Sequence, residues 1–484
     1  MKLAELFAET EYKTALSGDT EISFVTADSR KVEKGSLFCC IKGLTRDGHD
    51  FTPDCAAKGA YILCERDLGL DSQILVPSVR EAFAAVCEAF CGHPLKKLRL
   101  IGVTGTNGKT STTFITKSIL DKLGYKTGLI GTIQNMIGDE VLETHYTTPD
   151  TLELHELFGK MVEAGCQYCI MEVSSHAIEQ GRTAGLHFDI ACFTNLTQDH
   201  LDFHGTMENY FASKCKLFSM CDKAVVNTDD AWGAQLAEKV GCQLYTLGTG
   251  GQYFSSCDES YHSQGVDFTL SIDGEKNKAF VPIPGKFSVY NGLTAVACAY
   301  LADSENGKAD IGAIAEALGK VSGVKGRAEL WPTGKDFTVI LDYAHTPDGV
   351  ENILSTMREV TKGRLVCLVG CGGDRDPVKR PLMGETASRL ADFVIITSDN
   401  PRSENPASII EQIIPGVLQH DTPYVVIENR REAIEYAIEH AEKDDVIVLA
   451  GKGHETYQIL NTGTIHFDER EVLAEIFRTH ATRD

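Results

Sequence analysis

The chain lacks the features that mark a membrane or secreted protein. No apolar run approaches the ~18–20 residues that span a bilayer, and the segment from Met1 to Thr10 carries acids and has no secretory hydrophobic region. Long repeats and low-complexity tracts are also missing. We therefore expect a globular, cytoplasmic protein without membrane insertion.

Basic residues are too few to balance the acids. Lys and Arg number 46 against 69 Asp and Glu, which leaves a net charge of −23. Because a surface of this sign repels nucleic-acid phosphates, we expect no nucleic-acid partner. An anionic substrate would have to bind through local arginines, lysines and Mg²⁺.

Cysteine is not rare, but metal and redox cysteine motifs are. The 16 cysteines are scattered, many of them in apolar runs, and we expect most to be reduced and buried. Cys166 and Cys169 have C-x-x-C spacing, yet no second pair and no paired histidines lie nearby. We therefore expect no metal or redox site at this pair. A Ser-His or Cys-His nucleophile arrangement is missing as well.

What the sequence does contain is a phosphate-binding loop. Residues 102–111 read Gly-Val-Thr-Gly-Thr-Asn-Gly-Lys-Thr-Ser, between an apolar run at 98–103 and a helical pattern. In such a strand–loop–helix unit, backbone N–H groups surround the β-phosphate, the lysine reaches the β- and γ-phosphates, and the threonine binds Mg²⁺. Lys109 and Thr110 stand at these positions, although Val103 replaces the first glycine of the strict motif. We predict chemistry driven by ATP or GTP.

Apolar runs and helix-length segments divide the chain into three blocks, expected at 1–98, 99–327 and 328–484. In the second and third blocks, short apolar runs alternate with helix-length segments, which is typical of βαβ units and mostly parallel sheets. The predicted strands are 98–103, 128–131, 168–173, 190–193 and 224–227 in the second block, and 338–341, 365–369, 393–397, 425–427 and 446–449 in the third. Predicted helices of the third block are 348–361, 379–391, 406–418 and 430–442. The predicted fold class is α/β, with a central P-loop ATPase sheet and a C-terminal doubly wound, Rossmann-like domain.

Four polar motifs follow predicted strands of the third block. They occupy residues 342–348, 370–376, 398–404 and 451–455, and they are rich in glycine and charged residues. Loops at the carboxyl ends of parallel strands share one edge of the sheet, where ligands bind. We therefore predict a ligand crevice in this block.

Three further residues are candidates for metal or catalytic chemistry. Glu172 closes a predicted strand, and a carboxylate near the phosphate loop suits Mg²⁺, which prefers hard oxygen ligands. His200 lies with His204 and two aspartates in residues 195–204, but the spacing lacks the H-E-x-x-H pattern of a zinc helix. A structural role and a metal role both stay open for these histidines. Lys214 lies in a helical pattern, and the residue types around it do not single it out.

Taken in order, these motifs resemble the Mur ligase family of peptidoglycan synthesis. The resemblance covers nearly the whole chain and rests on Gly105-Thr-Asn-Gly-Lys-Thr110, Glu172-Val-Ser-Ser-His176, Asn195-Leu-x-x-Asp-His-Leu-Asp202, His204-Gly205, Asn291, Gly326-Arg-x-Glu329 and Asp342-Tyr-Ala-His-x-Pro-Asp348. Asp28-Ser-Arg30 and Gly43-x-x-x-Asp-Gly48 are similar to the family members that add the third residue of the peptide.

The resemblance implies three domains and a reaction. Block 1–98 would bind the UDP-sugar, 99–327 would be the ATPase domain, and 328–484 would bind the incoming amino acid. ATP would phosphorylate the side-chain carboxylate of D-glutamate in UDP-N-acetylmuramoyl-L-alanyl-D-glutamate. The amine of meso-2,6-diaminopimelate would then attack this acyl phosphate, giving an amide and phosphate. Such catalysis depends on positioning and charge stabilisation, and the resemblance implies a monomer.

The resemblance also assigns roles to individual residues. The ATP-binding residues would be Gly105, Thr106, Asn107, Gly108, Lys109, Thr110, Ser111, Asn291, Arg327, Asp342 and His345. The UDP-sugar would bind Ser29, Thr147, Thr148, Ser174, Gln180 and Arg182. The catalytic residues would be Lys109, Glu172, His200 and Lys214, with Mg²⁺ held by Thr110, Glu172, His200 and Lys214. Lys214 would act as N6-carboxylysine, a carbamate formed with CO₂.

The incoming amino acid is indicated by Asp399, Asn400, Pro401 and Arg402. Family members that add diaminopimelate carry this D-N-P-R motif, and lysine-adding members lack its arginine. Diaminopimelate has a second carboxylate at its far end, which a guanidinium can bind through two hydrogen bonds. Other contacts to this amino acid would come from Arg375, Gly451 and Glu455.

The chain departs from the family pattern at Asn405, where an Asp is usual, and at Tyr146, where an Asn is frequent. Alternatives to a diaminopimelate-adding ligase are a lysine-adding ligase, a folate polyglutamate ligase, and a P-loop switch that does not ligate.

Overall fold

The computed structural model describes residues 1–43, 46–144, 146–262, 264–304, 307 and 309–481. Contacts between residues group the chain into two units. The first comprises Met1–Ser255 and Leu293–Ile314, and the second comprises Ser256–Gly292 and Ala315–Asp484. Across the described residues, no helix is long and apolar enough to cross a membrane.

The first unit starts with a small mixed sheet. Its elements are α1 (Leu3–Leu6), β1 (Lys13–Thr14), β2 (Phe24–Thr26), β3 (Ser36–Cys39), α2 (Thr52–Ala57), β4 (Tyr61–Cys64), β5 (Gln73–Leu75) and α3 (Val79–Phe90). The strand order is β1-β5-β4-β3-β2, in which β1 is antiparallel and the other pairs are parallel. Helix α3 packs its apolar side chains, such as Val79 and Phe83, into the core of this sheet.

The larger sheet of the first unit begins with the strand before the phosphate loop. Its elements are β6 (Arg99–Thr104), α4 (Lys109–Lys122), β7 (Thr127–Ile130), β8 (Asn135–Ile137), β9 (Glu140–Leu142), α5 (Thr151–Glu163), β10 (Tyr168–Glu172), α6 (Ser175–Glu179), β11 (Phe188–Phe193), α7 (Leu201–His204), α8 (Met207–Cys215), β12 (Cys221–Asn227), α9 (Ala231–Ala237), β13 (Gln243–Gly248) and β14 (Phe254–His262). The strand order is β14-β13-β12-β11-β6-β10-β7-β8-β9, and β14 begins in the first unit and ends in the second.

The middle of this sheet places the functional loops side by side. Strands β11, β6, β10 and β7 are adjacent and parallel, so their carboxyl ends meet at one edge. Every residue of β10 is buried, which explains its continuous apolar sequence, because parallel strands are covered on both faces. The five strands predicted for the second block are present with slightly shifted ends, whereas the hairpin of β8 and β9 was not predicted.

The second unit contains an antiparallel pair of strands, Gly265–Ile272 and Glu275–Val281, followed in the chain by a doubly wound sheet. Its elements are β15 (Gly265–Ile272), β16 (Glu275–Val281), α10 (Lys286–Ser304), α11 (Ile311–Gly319), β17 (Glu329–Trp331), β18 (Thr338–Asp342), α12 (Pro347–Val360), β19 (Leu365–Val369), α13 (Lys379–Leu390), β20 (Phe393–Ile396), α14 (Pro406–Val417), β21 (Tyr424–Val426), α15 (Arg430–Glu439), β22 (Val446–Ala450), β23 (Tyr457–Leu460), β24 (Gly463–His466) and α16 (Glu469–Ala481). Helices α10 and α11 each extend across the division between the units.

Strand order in this sheet is β17-β18-β22-β19-β20-β21, and only the pairing of β17 with β18 is antiparallel in the described part of the chain. The strands and helices predicted for the third block are all present. Loops after β18, β19, β20 and β22 therefore end at the same edge, which is where the four polar motifs lie.

Asn405, one of the departures from the family pattern, caps helix α14. Its Oδ1 accepts a hydrogen bond from Ala407 N at 2.9 Å, and Pro406 occupies the first helical position. Asn and Asp are about equally good N-cap residues, so the replacement preserves the cap. We expect Asn405→Asp to leave the midpoint of thermal unfolding nearly unchanged. Asn405→Ala should lower stability by about 1 kcal/mol, and an equal loss in both variants would contradict a capping role.

Candidate functional site

The phosphate loop connects β6 to α4 and requires glycine at two positions. Gly105 has φ of +146° and Gly108 has φ of +86°. A Cβ at Gly105 would lie 2.0 Å from Thr194 Oγ1, a distance that no side chain can tolerate. Val103 is buried inside β6, so the position of the missing glycine belongs to the strand, and the turn is made by the later glycines.

Two lysines converge on one carbonyl oxygen of this loop. Lys109 Nζ donates to Gly105 O at 2.9 Å and to Thr106 O at 2.9 Å. Lys214 Nζ, which comes from α8, also donates to Gly105 O at 2.9 Å. The structure therefore brings Lys214 to the phosphate loop, 109 positions away in sequence.

The surroundings of Lys214 disfavour its charged form. The side chain is 1% exposed, and its Nζ lies 4.5 Å from the ring centroid of Tyr210. Burial, and then the positive charge of Lys109, hold the pKa of Lys214 well below its usual value, although Asp199 opposes this shift. A buried lysine of this kind carries a neutral, nucleophilic amine more readily than a surface lysine does.

Glu172 ends β10 in a fully buried position beside the loop. Its Oε2 accepts from Thr110 Oγ1 and from Thr132 Oγ1, each at 3.0 Å, and its Oε1 accepts from Thr132 N at 2.8 Å. Gly131 gives this carboxylate room, because a Cβ there would lie 2.5 Å from Oε1. The geometry brings together Thr110 and Glu172, as the sequence predicted for a site of hard oxygen ligands.

The histidines of this region form an aromatic cluster. The ring centroid of His200 lies 4.8 Å from that of His176, and the His204 ring lies 4.9 Å from Tyr210. His204 Nε2 is hydrogen bonded to Ser175 Oγ at 2.9 Å and is buried, which gives this histidine a structural contact. His200 is half exposed, with Nε2 3.4 Å from Asp199 Oδ2.

In the described ranges, no group of three or more His, Cys, Asp or Glu side chains is placed to hold a metal ion. Burial raises the pKa values of the Cys166 and Cys169 thiols, which disfavours the thiolate form. A metal site at the phosphate loop would therefore need oxygen ligands of other kinds besides Glu172.

Five of the six residues assigned to the UDP-sugar form one hydrogen-bonded cluster. Thr148 Oγ1 donates to Glu172 O at 2.9 Å and accepts from Ser174 N at 3.1 Å. Arg182 donates to Thr148 O at 2.9 Å and to Gln180 Oε1 at 2.7 Å. Thr147 joins the cluster because its Oγ1 lies 3.0 Å from Thr132 Oγ1, next to Glu172.

The side chains of Ser29 and Tyr146 do not take part in the hydrogen bonds given for this cluster. Ser29 starts a short 3₁₀ helix, Ser29–Lys31, and its carbonyl accepts from Lys58 Nζ at 3.3 Å. Tyr146, the second departure from the family pattern, places its exposed ring 4.9 Å from the Arg182 guanidinium. Residues 44 and 45 of the motif at 43–48 lie outside the described residues.

Of the residues predicted to bind ATP, 105–111 belong to the first unit, and Asn291, Arg327, Asp342 and His345 belong to the second. Asn291 is buried in α10. Asp342 closes β18 and accepts from Ala328 N at 2.7 Å and from Ala344 N at 2.8 Å. The Arg327 guanidinium lies 5.1 Å from the ring centroid of Tyr343, and His345 Nδ1 lies 2.8 Å from Tyr343 O.

All four polar motifs of the third block contribute to one cavity of about 250 Å³ in the second unit. The lining residues are Tyr343 and His345 after β18, Gly370, Gly372, Arg375 and Lys379 after β19, Asp399, Asn400 and Arg402 after β20, and Gly451 and Glu455 after β22. The crevice predicted from sequence is therefore present. Among the residues assigned to the amino acid, Pro401 lies between these loop residues and does not line the cavity.

The cavity presents groups of both charges. Within the described residues neither Arg375 nor Arg402 forms an ion pair; Arg402 Nη1 donates to Gly373 O at 2.8 Å, and Arg375 Nη1 donates to Asp374 O at 3.1 Å. Asp399 is buried, and a Cβ at Gly451 would lie 2.4 Å from its Oδ2. A site of this composition suits a ligand that carries both carboxylate and ammonium groups.

Sequence reasoning missed several residues of these sites. Thr132, which donates twice to Glu172, follows β7 at the same sheet edge, so the strand-end rule applied to β7 would have found it. Lys379 lines the cavity and donates to His345 O at 3.0 Å. Lys452 belongs to the predicted motif at 451–455, but its complete burial behind the cavity was not predicted.

Comparisons with known proteins give the family. Profiles of the Mur ligase family catalytic domain, the Mur ligase middle domain and the Mur ligase glutamate ligase domain match residues 21–90, 103–299 and 326–453. A UDP-N-acetylmuramoyl-L-alanyl-D-glutamate–2,6-diaminopimelate ligase 1 of Clostridium acetobutylicum is 47% identical, with 99% of each chain covered. The corresponding ligase of Caldanaerobacter subterraneus subsp. tengcongensis is 47% identical, with 98% of this chain and 99% of the relative covered.

A solved structure of a UDP-N-acetylmuramoyl-L-alanyl-D-glutamate–2,6-diaminopimelate ligase has the same fold. It superposes with a TM-score of 0.75 at 30% identity, and 99% of each chain is covered. The predicted α/β class and three-domain architecture are thus confirmed, while the exact boundaries at 98/99 and 327/328 stay a prediction. The chain belongs to the Mur ligase family.

Proposed function

We propose that the protein is an ATP-dependent amide ligase that adds meso-2,6-diaminopimelate to UDP-N-acetylmuramoyl-L-alanyl-D-glutamate, a step of peptidoglycan precursor synthesis. The observation that supports diaminopimelate as the substrate is the composition of the cavity in the second unit, which contains Arg375 and Arg402 together with Asp399 and Glu455. Full-length relatives at 47% identity bear the name of this activity.

ATP would bind through the phosphate loop of the first unit. Backbone N–H groups of residues 105–111 and the N-terminus of α4 would hold the phosphates, and Lys109 would exchange its carbonyl contacts for phosphate oxygens. Asn291, Arg327, Asp342 and His345 would contact the rest of the nucleotide.

Mg²⁺ fits the oxygen ligands at the loop. Thr110 and Glu172 provide a hydroxyl and a carboxylate that already contact each other at 3.0 Å, and both are hard ligands. We assign His200 and Lys214 to the same metal sites. When bound there, Mg²⁺ would neutralise charge on the phosphates.

Lys214 is suited to modification because its amine is buried and has a lowered pKa. The neutral amine would attack CO₂ to form a carbamate, with release of one proton. This converts a cation into an anion and supplies the additional oxygen ligands that the described carboxylates alone do not provide.

The remaining residues would position the two organic substrates. Thr147, Thr148, Ser174, Gln180 and Arg182, together with Ser29, would hold the UDP-sugar peptide. The γ-phosphoryl group of ATP would pass to the D-glutamate side-chain carboxylate, with ADP as the leaving group. The neutral amine held in the second unit would attack the carbonyl carbon of this acyl phosphate and lose a proton. The C–N bond forms as phosphate leaves, so the chain's task is alignment and charge stabilisation.

Phosphate release from ATP tests this proposal. With UDP-N-acetylmuramoyl-L-alanyl-D-glutamate present, we expect release with meso-diaminopimelate and little with L-lysine. A preference for lysine would retain the ligase and overturn the role of Arg402. ATP hydrolysis that requires neither amine would instead favour a nucleotide switch.

A further inference from the structure

Lys452 is a fully buried lysine behind the lining of the amino-acid cavity, and the proposed reaction does not use it. The side chain is 0% exposed, and its Nζ donates to Asn400 Oδ1 at 3.2 Å and to Glu455 Oε2 at 3.1 Å. Asn400 Nδ2 donates to the same Glu455 oxygen at 2.8 Å. We refer to Lys452, Asn400 and Glu455 as the buried triad. Burying an ammonium is costly unless it is paired, so each of these contacts matters.

The buried triad fixes the orientation of two side chains that line the cavity. Asn400 comes from the loop after β20, while Lys452 and Glu455 come from the loop after β22. Asn400 Oδ1 also accepts from Ile459 N at 3.0 Å, so its amide is held at both ends. Lys452 thus joins two loops that reach the cavity from different strands.

Lys452 also changes the charge of the cavity. The lining carries three cations, Arg375, Lys379 and Arg402, and two carboxylates, Asp399 and Glu455. Behind it, Arg430 and Glu469 are both 0% exposed in their side chains and pair with each other at 2.8 Å, so they add no net charge. Lys452 is therefore the buried cation that offsets Glu455.

This charge bears on which amino acid the cavity accepts. Meso-diaminopimelate has two ammonium and two carboxylate groups and is neutral overall, whereas L-lysine carries one net positive charge. An additional buried cation repels the net charge of lysine and leaves a neutral zwitterion much less affected. We infer that Lys452 is a positioning and specificity-determining residue that holds Glu455 and Asn400 and disfavours net-cationic amino acids. The inference rests on the proposed function.

Lys452→Met tests the inference because it keeps the length of the side chain and removes the charge. We expect the ratio of kcat/KM for diaminopimelate over lysine to fall by about tenfold or more. The main cause would be a lowered KM for lysine, with a smaller rise in the KM for diaminopimelate as Glu455 and Asn400 lose their fixed orientation, while the KM for ATP stays the same. Lys452→Arg, which retains the charge, should keep most of the discrimination. A merely structural lysine would lower the stability and leave the ratio unchanged.

Two further variants separate an effect on amino-acid selectivity from an effect on folding. Lys117→Met is a matched control, because Lys117 is also buried and its Nζ pairs with Asp121 Oδ2 at 2.8 Å in the first unit. It should lose stability without changing the ratio. Glu455→Gln shifts the cavity charge in the opposite direction, so the use of lysine relative to diaminopimelate should fall. If Lys452→Met does not fold, the test is the ratio of kcat/KM for diaminopimelate over lysine in Glu455→Gln. An unchanged ratio, or a lower one, overturns the inference.

The wild-type measurement separates the two proposals. A wild type that releases phosphate with diaminopimelate, combined with an unchanged ratio in Lys452→Met, overturns this inference alone. A wild type that releases no phosphate with either amino acid overturns the proposed function and this inference with it.

Discussion

Lys214→Ala is expected to abolish measurable turnover, a loss of at least about a thousandfold in the rate of phosphate release. Lys214 is buried against the phosphate loop, where its Nζ contacts Gly105 O at 2.9 Å. If its carbamate is an anionic ligand beside Glu172, truncation removes that charge from the point where phosphate charge is stabilised. The measurement is phosphate release with all three substrates present.

The test of the carbamate itself is chemical rescue. Short carboxylic acids such as formate or acetate fit the space left by the truncated side chain and supply a carboxylate, so we expect them to restore part of the activity. Lys216→Ala is a suitable control, because Lys216 is an exposed lysine two residues further on that pairs with Glu179. Full activity of Lys214→Ala would remove the carbamate from the mechanism, and loss without rescue would leave Lys214 essential for another reason.

In the third block, residues 328–484, the sequence alone was enough to predict most of the strands and helices, and the cavity. The strand predicted at 365–369 is observed as Leu365–Val369, and the helix predicted at 406–418 is observed as Pro406–Val417. These elements are predictable because buried parallel strands are apolar throughout and the helices between them have clear caps. Since parallel strands share their carboxyl edge, four polar loops were enough to predict one crevice.

Other features depend on packing that local sequence does not encode. Strand β16, Glu275–Val281, alternates exposed polar residues with a few buried ones and carries a weak apolar signal. The contact between Lys214 and Gly105 joins residues that are far apart in sequence, and only the family resemblance singled out this lysine. Lys452 lies in the polar motif at 451–455, but its burial could not be predicted, because lysines are mostly exposed and burial here is a property of the folded loops.

Arg402→Ala is expected to raise the KM for diaminopimelate by ~30-fold or more, which corresponds to the loss of a charge pair shielded from water, while the KM for ATP stays the same. Arg402 lines the cavity, and in the described part of the chain no carboxylate pairs with it. Its Nη1 is held by Gly373 O at 2.8 Å, so the guanidinium is already oriented. The distal carboxylate of diaminopimelate would complete the pair, and lysine has no such group.

Backbone strain is the alternative cause that this experiment has to exclude. Arg402 has φ of +52°, a conformation that alanine adopts poorly and asparagine tolerates. Arg402→Asn removes the guanidinium without the strain, so it should raise the KM for diaminopimelate as much as alanine does. Arg389 on α13 pairs with Glu351 of α12 and Glu385 of α13, so Arg389→Ala should leave the KM for diaminopimelate unchanged. A normal KM in Arg402→Asn would show that the backbone, and not the charge, accounts for the alanine result, and Arg402 would lose its role in recognising the second carboxylate.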